Sequence, residues 1–538
     1  MRAGGFGCVA RGLTVDASVT SVSSGRKCEV STSGNSAIEF GNLRPSLLVD
    51  GAWVGASDGG TREIIDPSNG SVVLVVDEAT PDDALRAVDA ARRTFDEGSW
   101  ASTPVADRTA LLTAIADLLQ RDKEQLAHIE TLDTGKTLAE SRIDIDDVTS
   151  VFRYYAELAA VHGDRLVDVG RPEVISRVVH EPIGVCVMIA PWNYPLLQIS
   201  WKIAPALAAG CTMVLKPSEV TPLSTIAFVK LVEEAGVPSG VVNLVQGSGA
   251  VLGEALTANP DVDFISFTGG LATGRTILAT AAANVTKVAV ELGGKNPHIV
   301  FADAVEDQQD FDDSVDHVLT GVFLHSGQVC SAGTRLIVED SIADRFVAAV
   351  AERARGIKMG PGLDEASETG PLVSEAQRTK IENFVALGVD EGAELVIGGA
   401  RPEDPDLADG SYFLPTIFDK CDRSMNIVQE ETFGPILTVE RFTTEEEALR
   451  LGNDTNYGLA AGVRTSDSAR GERMVRGLRH GTVWLNDFGI YTAAAEWGGF
   501  KRSGNGRELG PSGLSEYQEA KHIWHNTAPA AAGWFHIR

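Results

Sequence analysis

The feature that most restricts the fold of this chain lies between residues 184 and 292. Short β-rich runs alternate there with helical stretches: "GVCVMIA" leads to "LLQISWKIAPALAAG", "TMVLK" to "PLSTIAFVKLVEEAG" and "VVNLVQG", and "VDFISFTG" to "TGRTILATAAAN" and "KVAVEL". Strands alternating with helices at this pitch predict a parallel sheet with helices on its faces. The predicted class is α/β, with a doubly wound parallel sheet. A second alternation after residue 330, from "RLIVED" through "ILTVERF" to "HGTVWLND", predicts another α/β domain of similar size. Residues 81 to 160, with apolar positions at i, i+3, i+4 and i+7, read as amphipathic helices around a core.

In an open parallel sheet, ligands bind beyond the carboxyl ends of the strands. Four such ends stand out: "IAPWNYP", "KPSE", "QGSG" and "FTGGLATG". The last, with Gly269, Gly270 and Gly274, resembles a phosphate loop feeding a helix N-terminus. It is not GxGxxG, and the usual acidic residue about 20 positions later is missing. In "KPSE", Lys216 and Glu219 can hydrogen-bond a ribose from both sides, and a carboxylate there repels a 2′-phosphate, which favours NAD over NADP. The competing reading is a surface lysine beside a helix-capping carboxylate.

Cys330, in "FLHSGQVCSAGTRLIV", sits among small and polar residues rather than in an apolar periodic run. It could be a nucleophile, a metal ligand or a turn residue. The six cysteines, Cys8, Cys28, Cys186, Cys211, Cys330 and Cys421, form no CxxC pair and no Cys/His cluster, which argues against a metal site and against a disulfide framework. A reducing compartment is then the default. Glu291, in "VELGGKN", leaves an apolar strand, where desolvation raises a carboxyl pKa and suits it to act as a general base. Asn193, in "PWNYP", can donate to an oxyanion or simply form a turn.

With 46 Lys+Arg against 75 Asp+Glu, the formal charge of −29 argues against a surface for nucleic acid. No run of 18 apolar residues predicts a membrane span. Residues 1–45 are rich in Ser, Gly and Thr and lack the apolar core of a secretory signal, so a disordered extension is expected. An organelle-targeting role for that stretch is the weaker alternative to a cytoplasmic protein.

Taken in order, "PWNYP", "KPSE", "FTGG", "ELGGKN", "GQVCSAGTR", "EETFGP" and "WGGFKRSGNGRELG" resemble the aldehyde dehydrogenase superfamily over residues 46–523. The resemblance implies that Cys330 attacks an aldehyde, that Asn193 and the Cys330 N–H hold the oxyanion, and that Glu291 activates the water that hydrolyses a thioester. It implies NAD as cofactor, with Lys216 and Glu219 on the adenosine ribose, Glu431 on the nicotinamide ribose, and Trp192 and Phe433 beside it. Gly270 stands where many relatives carry serine near the pyrophosphate. By the same resemblance, residues 46–164 and 185–318 form the NAD-binding domain and 319–497 the catalytic domain. Residues 165–184 and 512–523 form an oligomerisation flap, and 524–538 a tail. The alternation of Val174, Ser176, Val178 and His180 suits an extended hairpin strand, an edge that a partner subunit must cover, so a homodimer or homotetramer is expected.

Within the superfamily the motifs are most similar to the betaine aldehyde dehydrogenase branch. A trimethylammonium group is recognised by aromatic faces. Tyr194 and Trp201, two helical turns apart, with Trp497 and Tyr491, are the expected aromatic box. Leu324 stands where several relatives carry an aromatic ring, and Glu496 where they carry proline. An aminoaldehyde or aliphatic aldehyde is the alternative substrate. A thiol acyl-transferase or esterase using Cys330 and Glu291 is the alternative chemistry.

Overall fold

Five parallel strands carry the first alternation: β1 (Val185–Ile189), β2 (Thr212–Lys216), β3 (Val242–Leu244), β4 (Phe264–Gly269) and β5 (Lys287–Leu292). Helices α1 (Pro195–Ala209), α2 (Leu223–Glu234), α3 (Gly249–Thr257) and α4 (Leu271–Ala281) connect them. This computed structural model describes residues 43–530, 532, 534 and 535.

Side chains alternate across a strand, so each face of the sheet needs its own cover. Cys186 and Met188 of β1 pack with α1 and α2, while Val185, Val187 and Ile189 pack with α3, α4 and the helix Pro81–Glu97. The spatial order is β5, β4, β1, β2, β3, continued by the short strands Leu47–Val49 and Ala52–Val54. The chain therefore runs outward from β1 to β3 and returns to the other side of β1 for β4. That reversal opens a crevice at the carboxyl ends of β1 and β4.

The second sheet contains β6 (Pro297–Val300), β7 (Arg335–Glu339), β8 (Glu394–Ile397), β9 (Thr416–Asp419), β10 (Ile436–Phe442), β11 (Ala460–Arg464) and β12 (Thr482–Leu485). Their order is β8-β9-β10-β7-β6-β11-β12, with only the edge strand β8 antiparallel to its neighbour. The chain thus enters this sheet at β6, some twenty residues before the expected boundary at 318/319. The four residues of β6 are completely buried and pair on both sides within the second sheet. It later sends Gly504–Asn505 back to pair with β5 of the first sheet.

A three-stranded antiparallel sheet pairs Val174–Pro182 with Arg165–Leu166 on one side and Gln518–Asn526 on the other. The expected flap segment 512–523 differs in its bounds: residues up to Glu516 belong to the helix Gly510–Glu516, and the strand continues to Asn526, into the expected tail. Three residues of the expected disordered extension are described and anchored in part. Leu43 is buried in the core and Arg44 lies 2.7 Å from Asp77. Residues 1–42 of the expected extension lie outside the described residues. Among the described residues, no helix is long and apolar enough to cross a membrane.

Candidate active site

The loop bearing Cys330 begins where the helix Gln308–Phe323 ends. His325, Ser326 and Gly327 take positive φ values of 49°, 52° and 71° and turn the chain toward the crevice. At Gly327 a side chain would run into the Gly434 carbonyl, so only glycine fits. The loop is then tied down by side chains. Gln328 donates from Nε2 to the His325 carbonyl at 3.1 Å and accepts from the Val373 N–H at 2.9 Å. Asn296 donates from Nδ2 to the carbonyls of Cys330 and Ala332 at 2.9 and 3.0 Å, and its Oδ1 accepts from the Ala460 N–H at 3.0 Å.

Asn193, just beyond β1, is buried and donates from Nδ2 to the Gln328 carbonyl at 2.8 Å. That bond holds the amide beside the cysteine loop and leaves a second N–H on the same nitrogen. Burial, then the carboxyls of Glu431 and Glu291, push the Cys330 thiol up to about 12, against the opposing pull of the Ser331 and Cys330 N–H groups. Glu291 is the next-to-last residue of β5, and burial followed by the charge of Glu508 raises its pKa well above the usual carboxylate range, against the opposing pull of Lys202, Arg507 and the Gly499 N–H. Below it Lys202 of α1 makes a buried ion pair with Glu508 and donates to Thr268 Oγ1 at 2.7 Å.

A cavity of about 650 Å³ follows the crevice, with Cys330, Asn193, Glu291 and Trp497 among the residues lining it. Glu431, Phe433 and Trp192 line it too, as do Gly269 and Gly270 and the pair Lys216 and Glu219. Glu431 accepts from the Gly294 N–H at 3.0 Å, and burial pushes its carboxyl up to about 7. Trp192 meets Phe433 edge-on at 5.1 Å. Lys216 Nζ lies 3.5 Å from Glu219, and burial lowers its pKa. At Gly270, the N-cap of α4, a side chain would meet nothing within 4 Å, so the helix N-terminus stands open to an anionic group. Gly274 does not line the cavity. A side chain there would come within 2.6 Å of Leu292, so this glycine lets α4 pack closely on β5.

Three of the four expected box residues come together. Trp201 lies 5.3 Å from Tyr491 and 5.8 Å from Trp497, and Tyr491 lies 6.1 Å from Trp497. Tyr194 packs differently: its ring meets His325 at 5.6 Å, and the Lys136 ammonium sits 4.1 Å from its centroid. The two-turn spacing fails because Tyr194 is the N-cap of α1, with φ −131° and ψ 63°, outside the helical repeat. Leu324 is exposed. Glu496 bonds Ser512 at 3.0 Å and is absent from the cavity lining.

Sequence reading missed Asn296, Gln328, Lys202 and Glu508. Asn296, Gln328 and Glu508 fall within "ELGGKN", "GQVCSAGTR" and "WGGFKRSGNGRELG", so their positions are visible in the sequence while their partners are not. Lys202 carried a signal of its own, as a single charge in a helix buried at every position.

The crevice at a strand-order reversal, lined by both Cys330 and Glu291, is the arrangement of an α/β enzyme with a candidate cysteine nucleophile. The chain belongs to the aldehyde dehydrogenase family, whose model matches residues 53–523. It is 54% identical over 493 residues to a betaine aldehyde dehydrogenase of Bacillus subtilis (strain 168), covering 92% of this chain and 100% of that protein. It is 42% identical to the peroxisomal aminoaldehyde dehydrogenase 1 of Pisum sativum, covering 91% and 97% of the two chains. The crystal structure of betaine aldehyde dehydrogenase from Staphylococcus aureus in complex with NAD+ superposes with a TM-score of 0.90 at 49% identity, covering 93% of this chain and 98% of that one.

Proposed function

We propose that this protein oxidises betaine aldehyde to glycine betaine with NAD as oxidant. The observation that carries the reading is a single cavity lined by Cys330, Asn193 and Glu291 and also by Glu431, Lys216 and Glu219. The residues fit a dinucleotide: a carboxylate and an ammonium for the adenosine ribose, an open helix N-terminus at Gly270 for the pyrophosphate, and Glu431, Trp192 and Phe433 around the nicotinamide ribose. When bound, NAD accepts a hydride from the substrate carbon.

Cys330 supplies the nucleophile as its thiolate, and its attack on the aldehyde carbon gives a thiohemiacetal. Asn193 and the Cys330 N–H hold the oxyanion, which the bond from Asn193 to Gln328 pre-positions. Loss of hydride leaves a thioester on Cys330. Glu291 then takes a proton from water, the hydroxide adds to the thioester carbon, and the carboxylic acid leaves as the cysteine is freed. Overall, aldehyde, NAD+ and water give acid, NADH and a proton.

The preference for NAD rests on the Glu219 carboxylate, which a 2′-phosphate would face. The cation of the substrate would lie against Trp497, backed by Trp201 and Tyr491. A homodimer or homotetramer would cover the exposed residues Ile175 and Trp524 of the three-stranded sheet. The unpaired thiols of Cys186, Cys211, Cys330 and Cys421 suit the cytoplasm. A second reading, an aminoaldehyde, draws support from Asp147, which accepts a hydrogen bond from Tyr491 at 2.6 Å behind the aromatic group. Absorbance of NADH on mixing enzyme, NAD and betaine aldehyde tests the proposal. A flat trace with betaine aldehyde would refute it, NADH formed only with an aminoaldehyde would favour the second reading, and thioester or ester hydrolysis without NADH would favour the acyl-transferase alternative.

A further inference from the structure

We propose that Glu254 reads the base of the dinucleotide, selecting a purine with an amine at position 6 over one with a carbonyl there. The inference rests on the NAD reading and deepens it.

The cavity extends past Lys216 and Glu219 into a slot between α3 and α4. From α3 it takes Gly249, Ala250, Gly253, Glu254 and Thr257, which lie on one helical face at i, i+1, i+4, i+5 and i+8. From α4 it takes Thr273, Thr276, Ile277 and Thr280, again one face. A side chain placed at Gly249 or at Gly253 would meet nothing within 4 Å. The α3 wall is thus bare backbone at two successive turns, and a flat ring can lie against it without displacing anything. With the ribose at Lys216 and Glu219, the base attached to that ribose is the flat group that reaches this slot.

Apart from Thr273, the threonines of the slot have no hydroxyl proton left to donate to a base edge. Thr276 and Thr280 spend their hydroxyl protons on the backbone carbonyls of Ala272 and Thr276, and Thr257 spends its own on Gly253. Glu254 is an exposed side chain whose carboxylate accepts no hydrogen bond and makes no ion pair among the described residues, while its carbonyl accepts the ordinary helical bond from Ala258. An ionised carboxylate only accepts hydrogen bonds. It therefore favours an edge that donates, such as the exocyclic amine of adenine, and disfavours the carbonyl oxygen that replaces that amine in hypoxanthine. Such a preference is a difference between two affinities, produced partly by repulsion of the wrong edge.

Isothermal titration of the full-length protein with NAD and with nicotinamide hypoxanthine dinucleotide tests this without turnover. Wild-type enzyme should bind NAD about fivefold more tightly than the hypoxanthine form, the size expected of one partly solvated charge-assisted hydrogen bond. Glu254→Ala should bring the two affinities together, by weakening NAD and by relieving the repulsion of the hypoxanthine form. Glu254→Gln, whose amide can donate to a carbonyl, should shift the ratio toward the hypoxanthine form. The same ratio in wild type and both variants would overturn the assignment while leaving the NAD reading intact. Failure of wild-type protein to bind either dinucleotide would overturn the NAD reading and the assignment with it.

Discussion

Asn193 donates to the carbonyl of Gln328, two residues before Cys330, across a distance of 2.8 Å. One bond therefore fixes two things: the orientation of an amide just beyond β1, and the path of the loop that carries Cys330. Gln328 is held in turn by His325 and Val373, so the amide rests on a braced strut. A donor held in this way needs no reorganisation when charge develops beside it.

Asn193→Ala should lower kcat by about a hundredfold with a smaller change in KM, since a donor to a developing oxyanion acts in the transition state. Stopped-flow measurement of the first NADH turnover checks this. An undiminished first turnover would show that the amide serves only to brace the loop.

Glu291→Gln should preserve the first hydride transfer and stall the hydrolysis of the thioester, giving a burst of NADH and little steady-state rate. Cys330→Ala should remove both phases. Mass spectrometry of the stalled enzyme should find the acyl group on Cys330, and a Glu291→Gln steady-state rate equal to wild type would reassign the base.

Much of this site is legible in the sequence because chemistry in an α/β fold collects at strand ends. Asn193, Lys216, Gly269 and Glu291 each fall just past or at the end of a β-like run, and the chain brings those ends to one crevice. What stays hidden is contact between distant positions. Lys202 and Glu508 are 306 residues apart, and nothing in either segment names the other. The same holds for the aromatic group. The spacing of Tyr194 and Trp201 predicts a shared face, but Tyr194 caps the helix instead of continuing it, and its ring faces Lys136. The entry into the second sheet is hidden for a related reason, since β6 is only four residues long and directly follows the "GGKN" turn.

The raised thiol pKa carries a pH signature. A thiol held up to about 12 is protonated through the neutral range, so its thiolate fraction grows about tenfold per pH unit. In the enzyme without cofactor, the rate of Cys330 alkylation by iodoacetamide should therefore rise with that slope from pH 6 to 9. Glu291 acts in the same direction, because a raised carboxyl pKa leaves less base form at low pH. Steady-state oxidation should accordingly increase toward alkaline pH. A plateau in alkylation below pH 8 would mean that the thiol is far more acidic than its surroundings imply.

The substrate can be tested at Trp497. This ring lines the cavity, packs against Trp201 and Tyr491, and is held by paired backbone bonds to Glu508 of 2.7 and 2.8 Å. Its position is therefore rigid, and its loss should be felt as the loss of a surface rather than of a mobile contact. Betaine aldehyde and 3,3-dimethylbutanal have nearly the same shape, one ending in a trimethylammonium and the other in a tert-butyl group. Both would lose apolar contact on Trp497→Ala, but only the cation would lose its attraction to the ring face. KM for betaine aldehyde should rise roughly tenfold more than KM for the neutral isostere, with little change in kcat for either. An equal rise for both aldehydes would show that Trp497 only packs the tunnel, and would turn the assignment toward a neutral aliphatic aldehyde.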